Sequence, residues 1–229
     1  VSMLLNINTT KHLGTMRNEY MTGQDNPNLL SMIEEHRSGL KVISAPRYPI
    51  DLEFLTEGFW ASVATTLRTR FEYIVVDTPH DFSDIVIYQL LDATAIVLVV
   101  TPEMASLKVA VSALKTYKQL GINEERIKIV LNHHIPGASL DALQIEKALG
   151  VKIDLEIPYD PFEVLRAINI GTPFVTHKNT IPVAQKIEDL AFLLSTPESR
   201  KNPSKDATLT LLSYLTRKSI PSEPIGGKK

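Results

Sequence analysis

The segment TAIVLVVTP (94–102) is a continuous apolar run of strand length, and RIKIVLN (126–132) reads as a further strand. An alternating run needs only one dry face. A continuous run needs cover on both, as in parallel strands buried between layers of helices. YIVVDT (73–78) reads the same way, and residues 1–7, LKVISAP (40–46) and VKIDLEIP (151–158) complete the expected strands. Helical signals fall between them. Asn28 is placed to cap LLSMIEEH, with Gly39 as its stop, and Leu52, Leu55, Phe59, Val63 and Leu67 recur at helical spacing over 51–70. Further helices are expected over 83–92, over 103–120 before Gly121, over 139–149 between an N-cap Ser139 and Gly150, over 162–170 before Gly171, and over 181–194. Strands and helices alternating at such short intervals predict an α/β chain with a three-layer, doubly wound, mainly parallel sheet.

Composition narrows the function classes. With 229 residues and 44% hydrophobic content the chain can bury one α/β body, expected over 1–195, followed by a tail over 196–229. A formal charge of −2 gives no general pull toward nucleic acid, so DNA is not an expected partner. The absence of cysteine excludes a disulfide framework and a thiol nucleophile, and it fits a reducing cytoplasm. No run reaches the roughly 18 apolar residues that a membrane span needs. The tail carries seven basic residues against three acidic ones from Glu198 onward, so it is basic behind an acidic body.

In open parallel sheets, ligands sit beyond the carboxyl ends of the strands. That rim collects Asp77, Pro102, Asn132 and Pro158. A carboxylate at the end of a buried strand is costly unless it meets a cation or hydrogen-bond donors. Magnesium needs only one or two such carboxylates beside phosphates, so Asp77 reads either as a metal-supporting group or as a helix cap. Asn132 offers a donor and an acceptor together, which matches the N6/N7 edge of adenine; it also suits a simple strand-end turn. His133 and His134 read as loop residues rather than metal ligands, because neighbours on a strand point in opposite directions and no acidic cluster accompanies them. His80 is expected in solvated loop.

The order VVDTP, VVTPEMASL, IVLN, IPYDPFEVLRAINIGTPFV resembles the MinD/ParA family of deviant Walker ATPases, and within it the CpaE/TadZ branch associated with pilus assembly. The resemblance runs collinearly over about residues 1–195. It implies a P-loop NTPase-like fold, ATP with Mg2+, a homodimer, and partners in a surface machine such as a Flp/Tad pilus. It further implies that Asn132 contacts the adenine edge and that the loop from Pro158 to Asp160 lies against the base. Asp77 would support the magnesium shell, with Thr78 and Pro79 opening switch II.

The departures from that family carry equal weight. The resemblance implies a KGGxGKT loop after the first strand, yet no Gly-x-x-x-x-Gly-Lys occurs and the chain has only ten glycines. The front end is therefore expected to be truncated or degenerate, without the first strand. Asn6 and Asn8 stand where the resemblance implies the two switch I aspartates, and an amide neither accepts a proton nor brings charge to a metal. ATP hydrolysis is not expected from this sequence. In the tail, Leu211, Leu212 and Leu215 form a narrow apolar stripe followed by Arg217 and Lys218. A short amphipathic helix over about 207–218 is expected. It would serve as a peripheral membrane contact at the inner face of the membrane or pack on the body or a partner.

Overall fold

The computed structural model describes residues 2–7, 10–16, 29–46, 56–135, 140–176, 181–197 and 199. Two compact units are present. The first comprises Val1–Ile96, Ser112–Ile127 and Asp160–His177, and the second Val97–Val111, Lys128–Tyr159 and Lys178–Lys229.

In the first unit the expected strand over 1–7 is instead a 3-10 turn, Met3–Leu5. Its Leu5 and Ile7 amides both donate to the Ser2 carbonyl, and Asn6 follows at φ +52. The expected helix over LLSMIEEH is also replaced. Leu29–Met32 make a 3-10 turn, and β1 (Glu34–Glu35) then pairs antiparallel with β2 (Lys41–Val42), all that forms of the expected strand 40–46. Turn chemistry decides the outcome. Gly39 adopts φ +86, the His36 amide donates to Leu40 O at 2.8 Å, and the Ser38 amide donates to His36 Nδ1 at 3.2 Å. A Ser-Gly turn thus takes the residues that apolar spacing assigned to a helix, and Gly39 closes a hairpin instead of ending a helix.

Helix α1 (Glu57–Arg68) starts at Thr56, whose side chain accepts from the Phe59 amide at 3.2 Å. Phe59, Val63 and Leu67 lie four residues apart on one buried face. They meet Met16 and Leu29 in a core to which Leu13, Met32, Ile33, Trp60 and Phe71 add partial cover. Helix α2 (Asp84–Asp92) packs on α1. Its C-terminus is held by two arginines. Arg126 Nη2 donates to the Leu90, Leu91 and Ala93 carbonyls, and Arg68 pairs with Asp92 at 2.8 Å. Cations satisfying the last carbonyls of a helix also complement its dipole.

The expected strand 73–78 is the main correction. No strand pairing forms over Tyr73–Thr78, and Val75 is 94% exposed. A strand is defined by its ladder, and among the described residues this backbone has none.

The remaining strands form a three-stranded sheet in the order β3 (Ile96–Val100), β4 (Ile127–His134), β5 (Leu155–Pro158), with β4 and β5 parallel. Helix α3 (Met104–Gln119) connects the first two strands and α4 (Ala142–Leu149) the next two. Ile129, Val130 and Leu131 of β4 are all buried, as a central strand requires. The N-cap of α4 is Asp141, not Ser139, which lies outside the described residues. Asp141 accepts from the Gln144 amide at 2.7 Å and Gln144 Oε1 accepts from the Asp141 amide at 3.0 Å, a reciprocal capping box. Glu146 then accepts from the Ile153 amide, and Asp154 from the Ile129 amide, both at 2.8 Å, which fixes the start of β5 against β4. Helix α5 (Pro161–Ile170) belongs to the first unit, and α6 (Pro182–Leu194) packs along β5 in the second. The tail helix expected over 207–218 lies outside the described residues.

The α1 core yields a direct test. Phe59→Ala should lower the free energy of unfolding in urea by about 3–5 kcal/mol, the usual cost of emptying a buried aromatic site. A loss no larger than that of a surface substitution would show that this cluster does not hold the first unit together.

Candidate functional site

In the second unit, β4 and β5 pair Leu131 with Glu156 and His134 with Pro158. Three steps on β4 therefore answer two on β5. The extra residue is a β-bulge at Asn132–His133, and His133 takes φ +59. Left-handed conformations are uncommon for residues other than glycine, although His is among the enriched types, and bulges re-aim side chains at strand ends. Here the bulge interrupts the simple alternation of neighbouring side chains on which the reading of His133 and His134 relied. The His133 ring meets the Tyr159 ring edge to face, with centroids 5.4 Å apart and planes at 72°. Asn132 is half-buried one residue before this pair, and Pro158 ends β5 one residue before Tyr159. The carboxyl end of the β4–β5 ladder thus offers an amide, a proline and two aromatic faces within one unit.

Asp160 is the N-cap of α5, accepting from the Glu163 amide at 3.2 Å, and Pro161 supplies the favoured first helical residue. One of its oxygens is therefore committed to the helix start.

Asp77, Thr78 and Pro79 belong to the first unit, and all three are exposed. The costly buried carboxylate expected at Asp77 is not present, because the run leading into it is not buried. The segment that follows is ordered by Asp81. Its Oδ1 accepts from the Ser83 amide at 3.1 Å and the Ser83 hydroxyl at 2.8 Å, just ahead of α2. The backbone bond from Ser83 foremost, then its hydroxyl, lowers the Asp81 pKa below the ordinary 3.8, with a smaller contribution from His80. Phe82 anchors the same loop edge to face on Tyr117, centroids 6.2 Å apart.

Asn6 lies against Gly171, which ends α5 at φ +65; a Cβ on Gly171 would overlap the Asn6 Cβ. Asn6 is therefore at a helix end rather than at the end of a strand. Asn8 and the tail residues Leu211, Leu212, Leu215, Arg217 and Lys218 lie outside the described residues. Among the described residues, no group of three or more His, Asp or Glu could hold a metal ion.

Comparison with known proteins gives this geometry a context. The ParA family ATPase from Chlorobium tepidum superposes with a TM-score of 0.74 at 23% identity, covering 84% of this chain and 80% of that one. The septum site-determining protein MinD complexed with Mg-ADP from Pyrococcus horikoshii superposes at 0.67 with 18% identity, covering 84% and 78%. The chain has the MinD/ParA ATPase fold. Two sequence comparisons give partial matches. Residues 48–146 match the family model described as cellulose biosynthesis protein BcsQ. MinD of Thermotoga maritima is 24% identical over 144 residues, 61% of this chain and 52% of that protein. The chain thus spans about half the length of the curated relative it matches.

The side chains at this strand end offer a paired donor and acceptor together with flat apolar and aromatic surface. Asn132 can pair with a base edge, while Pro158, Tyr159 and His133 can wall its faces. Sequence reasoning named Asn132 and Pro158 at this strand end but not the pairing of His133 with Tyr159, since nothing in IVLNHH signals a bulge.

The Asp81 cap carries a pH dependence. Its folded pKa is depressed, so its contribution to stability is present above the ordinary value of 3.8 and is lost as pH falls through the lower folded value. The protection of the Ser83 amide, its exchange rate relative to that of an unstructured amide at the same pH, should therefore fall on acidification below that ordinary value. In Asp81→Asn that protection should be low and independent of pH. Identical pH profiles for both proteins would show that the cap does not order this loop.

Proposed function

We propose that this chain is a MinD/ParA-type positioning or assembly protein for a surface-delivery machine, in which adenine nucleotide binding is weak and hydrolysis is lost. What supports the reading is the carboxyl end of the β4–β5 ladder, where Asn132 lies in a bulge and Pro158 precedes Tyr159, whose ring meets that of His133. Asn132 takes the base edge, Pro158 and Asp160 belong to the loop beside the base, and Asp77 with Thr78 and Pro79 forms the switch that answers a nucleotide-bound Mg2+. Within these 229 residues no Gly-x-x-x-x-Gly-Lys segment occurs, and since backbone N–H groups and a lysine of that kind normally supply much of the hold on phosphates, the weak binding proposed is that of this stretch of chain by itself. Loss of hydrolysis follows from Asn6 and Asn8, which cannot orient an attacking water as carboxylates do.

Two kinds of machine are supported by different observations. The motif order IPYDPFEVLRAINIGTPFV supports a Flp/Tad-type pilus of the CpaE/TadZ kind. The match to the BcsQ model over 48–146 supports a cellulose-secretion apparatus. In both cases the working form is a homodimer in the cytoplasm whose partners are assembly proteins at the inner face of the membrane. The body over 1–195 carries the nucleotide seat and the tail over 196–229 the membrane or partner contact. No helix among the described residues is long and apolar enough to cross a membrane.

Titration calorimetry with Mg-ATP should give a dissociation constant of about 1 mM or weaker. Asn132→Ala should weaken it further by about tenfold, the loss of a polar contact to the base. Turnover should match buffer alone. Micromolar binding with steady turnover would mean an active ATPase, and no binding at all would leave a non-catalytic scaffold.

The tail is tested separately. Full-length protein should co-sediment with liposomes containing anionic lipid, and deletion of residues 203–229 should abolish this. If the intact protein stays in the supernatant, the membrane role of Leu211, Leu212, Leu215, Arg217 and Lys218 is wrong.

A further inference from the structure

Helix α5 is fixed at its ends and open along its length. Asp160 caps its start and Gly171 ends it. It packs on the turns Met3–Leu5 and Phe174–Thr176, and all of these belong to the first unit. None of its residues is buried; Glu163, Val164 and Ala167 are half-buried. The large apolar residues lie on the other side. Phe162 is 73% exposed, Leu165 58% and Ile168 41%. Residues three apart are neighbours on a helix surface, so these side chains make one stripe. A surface helix ordinarily turns such a stripe to the core. Here small Ala167 lies inward while Phe162 and Leu165 stand in water, and an apolar stripe left open in this way marks a contact surface.

The charges beside the stripe decide what fits it. Arg166 and Glu163 lie on one edge, 3.8 Å apart, with 63% of the arginine side chain and 27% of the glutamate side chain exposed. A helix that lies on lipid sets several basic residues beside its apolar face. The one cation here already faces a carboxylate, which suits a protein surface that carries both signs. The same helix from a second copy is such a surface.

We propose that α5 docks on α5 of a second copy of this chain, antiparallel across a two-fold axis at Leu165. A two-fold contact is self-complementary, so each pairing occurs twice. Leu165 meets Leu165, and Phe162 of each copy lies level with Ile168 of the other. Arg166 of each copy lies within one residue of the level of Glu163 of the other, on the same edge, so the charges cross the axis as two opposite pairs. At about 200 Å² for a fully exposed large side chain, the stripe with Arg166 and Asn169 presents roughly 500 Å² per copy. The pair then buries at most about 1,000 Å² in total, the low end for a specific contact. The dimer is therefore reversible, with a dissociation constant of about 10–100 μM. It gives the homodimer proposed above a surface and rests on that reading for the number of copies, but it needs no nucleotide.

The test is sedimentation of the full chain without nucleotide, from about 1 to 300 μM. A monomer–dimer equilibrium within that range is expected. Leu165→Glu should weaken it about tenfold or more. Its urea midpoint should stay at the wild-type value, since an exposed substitution leaves the fold intact. Glu163→Arg and Arg166→Glu should each weaken association about fivefold alone, and an equal mixture of the two should recover it, because only the mixed pair sets opposite charges across the axis. Dimers that survive Leu165→Glu overturn the α5 contact and leave the homodimer reading standing. A protein that is monomeric throughout also overturns it, and a parallel run with Mg-ATP then decides whether the homodimer forms through another surface. Mixed variants that fail to recover association overturn the two-fold arrangement.

Discussion

Strand pairing is the constraint on which the rest of this structure turns. Three apolar runs in the chain are chemically alike: Tyr73–Val76, Ile96–Val100 and Ile129–Leu131. The last two enter the β3–β4–β5 sheet and bury Val100, Ile129, Val130 and Leu131 almost completely. The first has no ladder among the described residues, and Val75 stands in water. Hydrophobicity alone does not make a strand. The backbone N–H and C=O groups need partners before burial of the side chains is affordable.

The same pairing sets the chemistry of the rim. Because β4 carries one residue more than β5 between two register points, the mismatch has to appear as a bulge, and it falls on Asn132–His133. His133 is left at φ +59, a conformation that costs on the order of 1–3 kcal/mol for a residue with a side chain and persists only where the surroundings over-determine it. The surroundings do so here through Tyr159, whose ring holds the imidazole edge to face. The half-buried Asn132 lies in the same bulge, one residue before His133.

How much of this was legible in the sequence follows from where the signals were local. Gly121, Gly150 and Gly171 all adopt the left-handed conformation at or just after helix ends, as expected of glycine there. The helices over 84–92, 104–119, 161–170 and 182–194 lie within a residue or two of their expected limits. The first third of the described chain was misread, because its apolar residues serve a core built around Phe59 rather than regular elements of their own. Leu29 and Met16 reach that core from 3-10 turns, which have no periodic signature. His36 and Arg37 were overlooked for the same reason. Read as the end of a helix they are surface polar residues, whereas the hairpin buries His36 and leaves Arg37 exposed.

Asp77 shows how closely electrostatics follows pairing. A carboxylate in contact with water carries little penalty and so has little need of a metal. One at the end of a covered strand would be pressed to find a cation. The four apolar residues before Asp77 suit the second environment, and the described structure supplies the first. Local sequence and surroundings disagree on this segment more sharply than anywhere else in the described chain, and such disagreement gathers at functional positions. Any ladder formed along Tyr73–Val76 would bury Val75 and bring Asp77 toward lower dielectric in the same step. Strand pairing and the carboxylate's appetite for a cation are therefore one variable, and the Asp81–Ser83 cap, four residues on, marks where that variable hands over to the fixed start of α2.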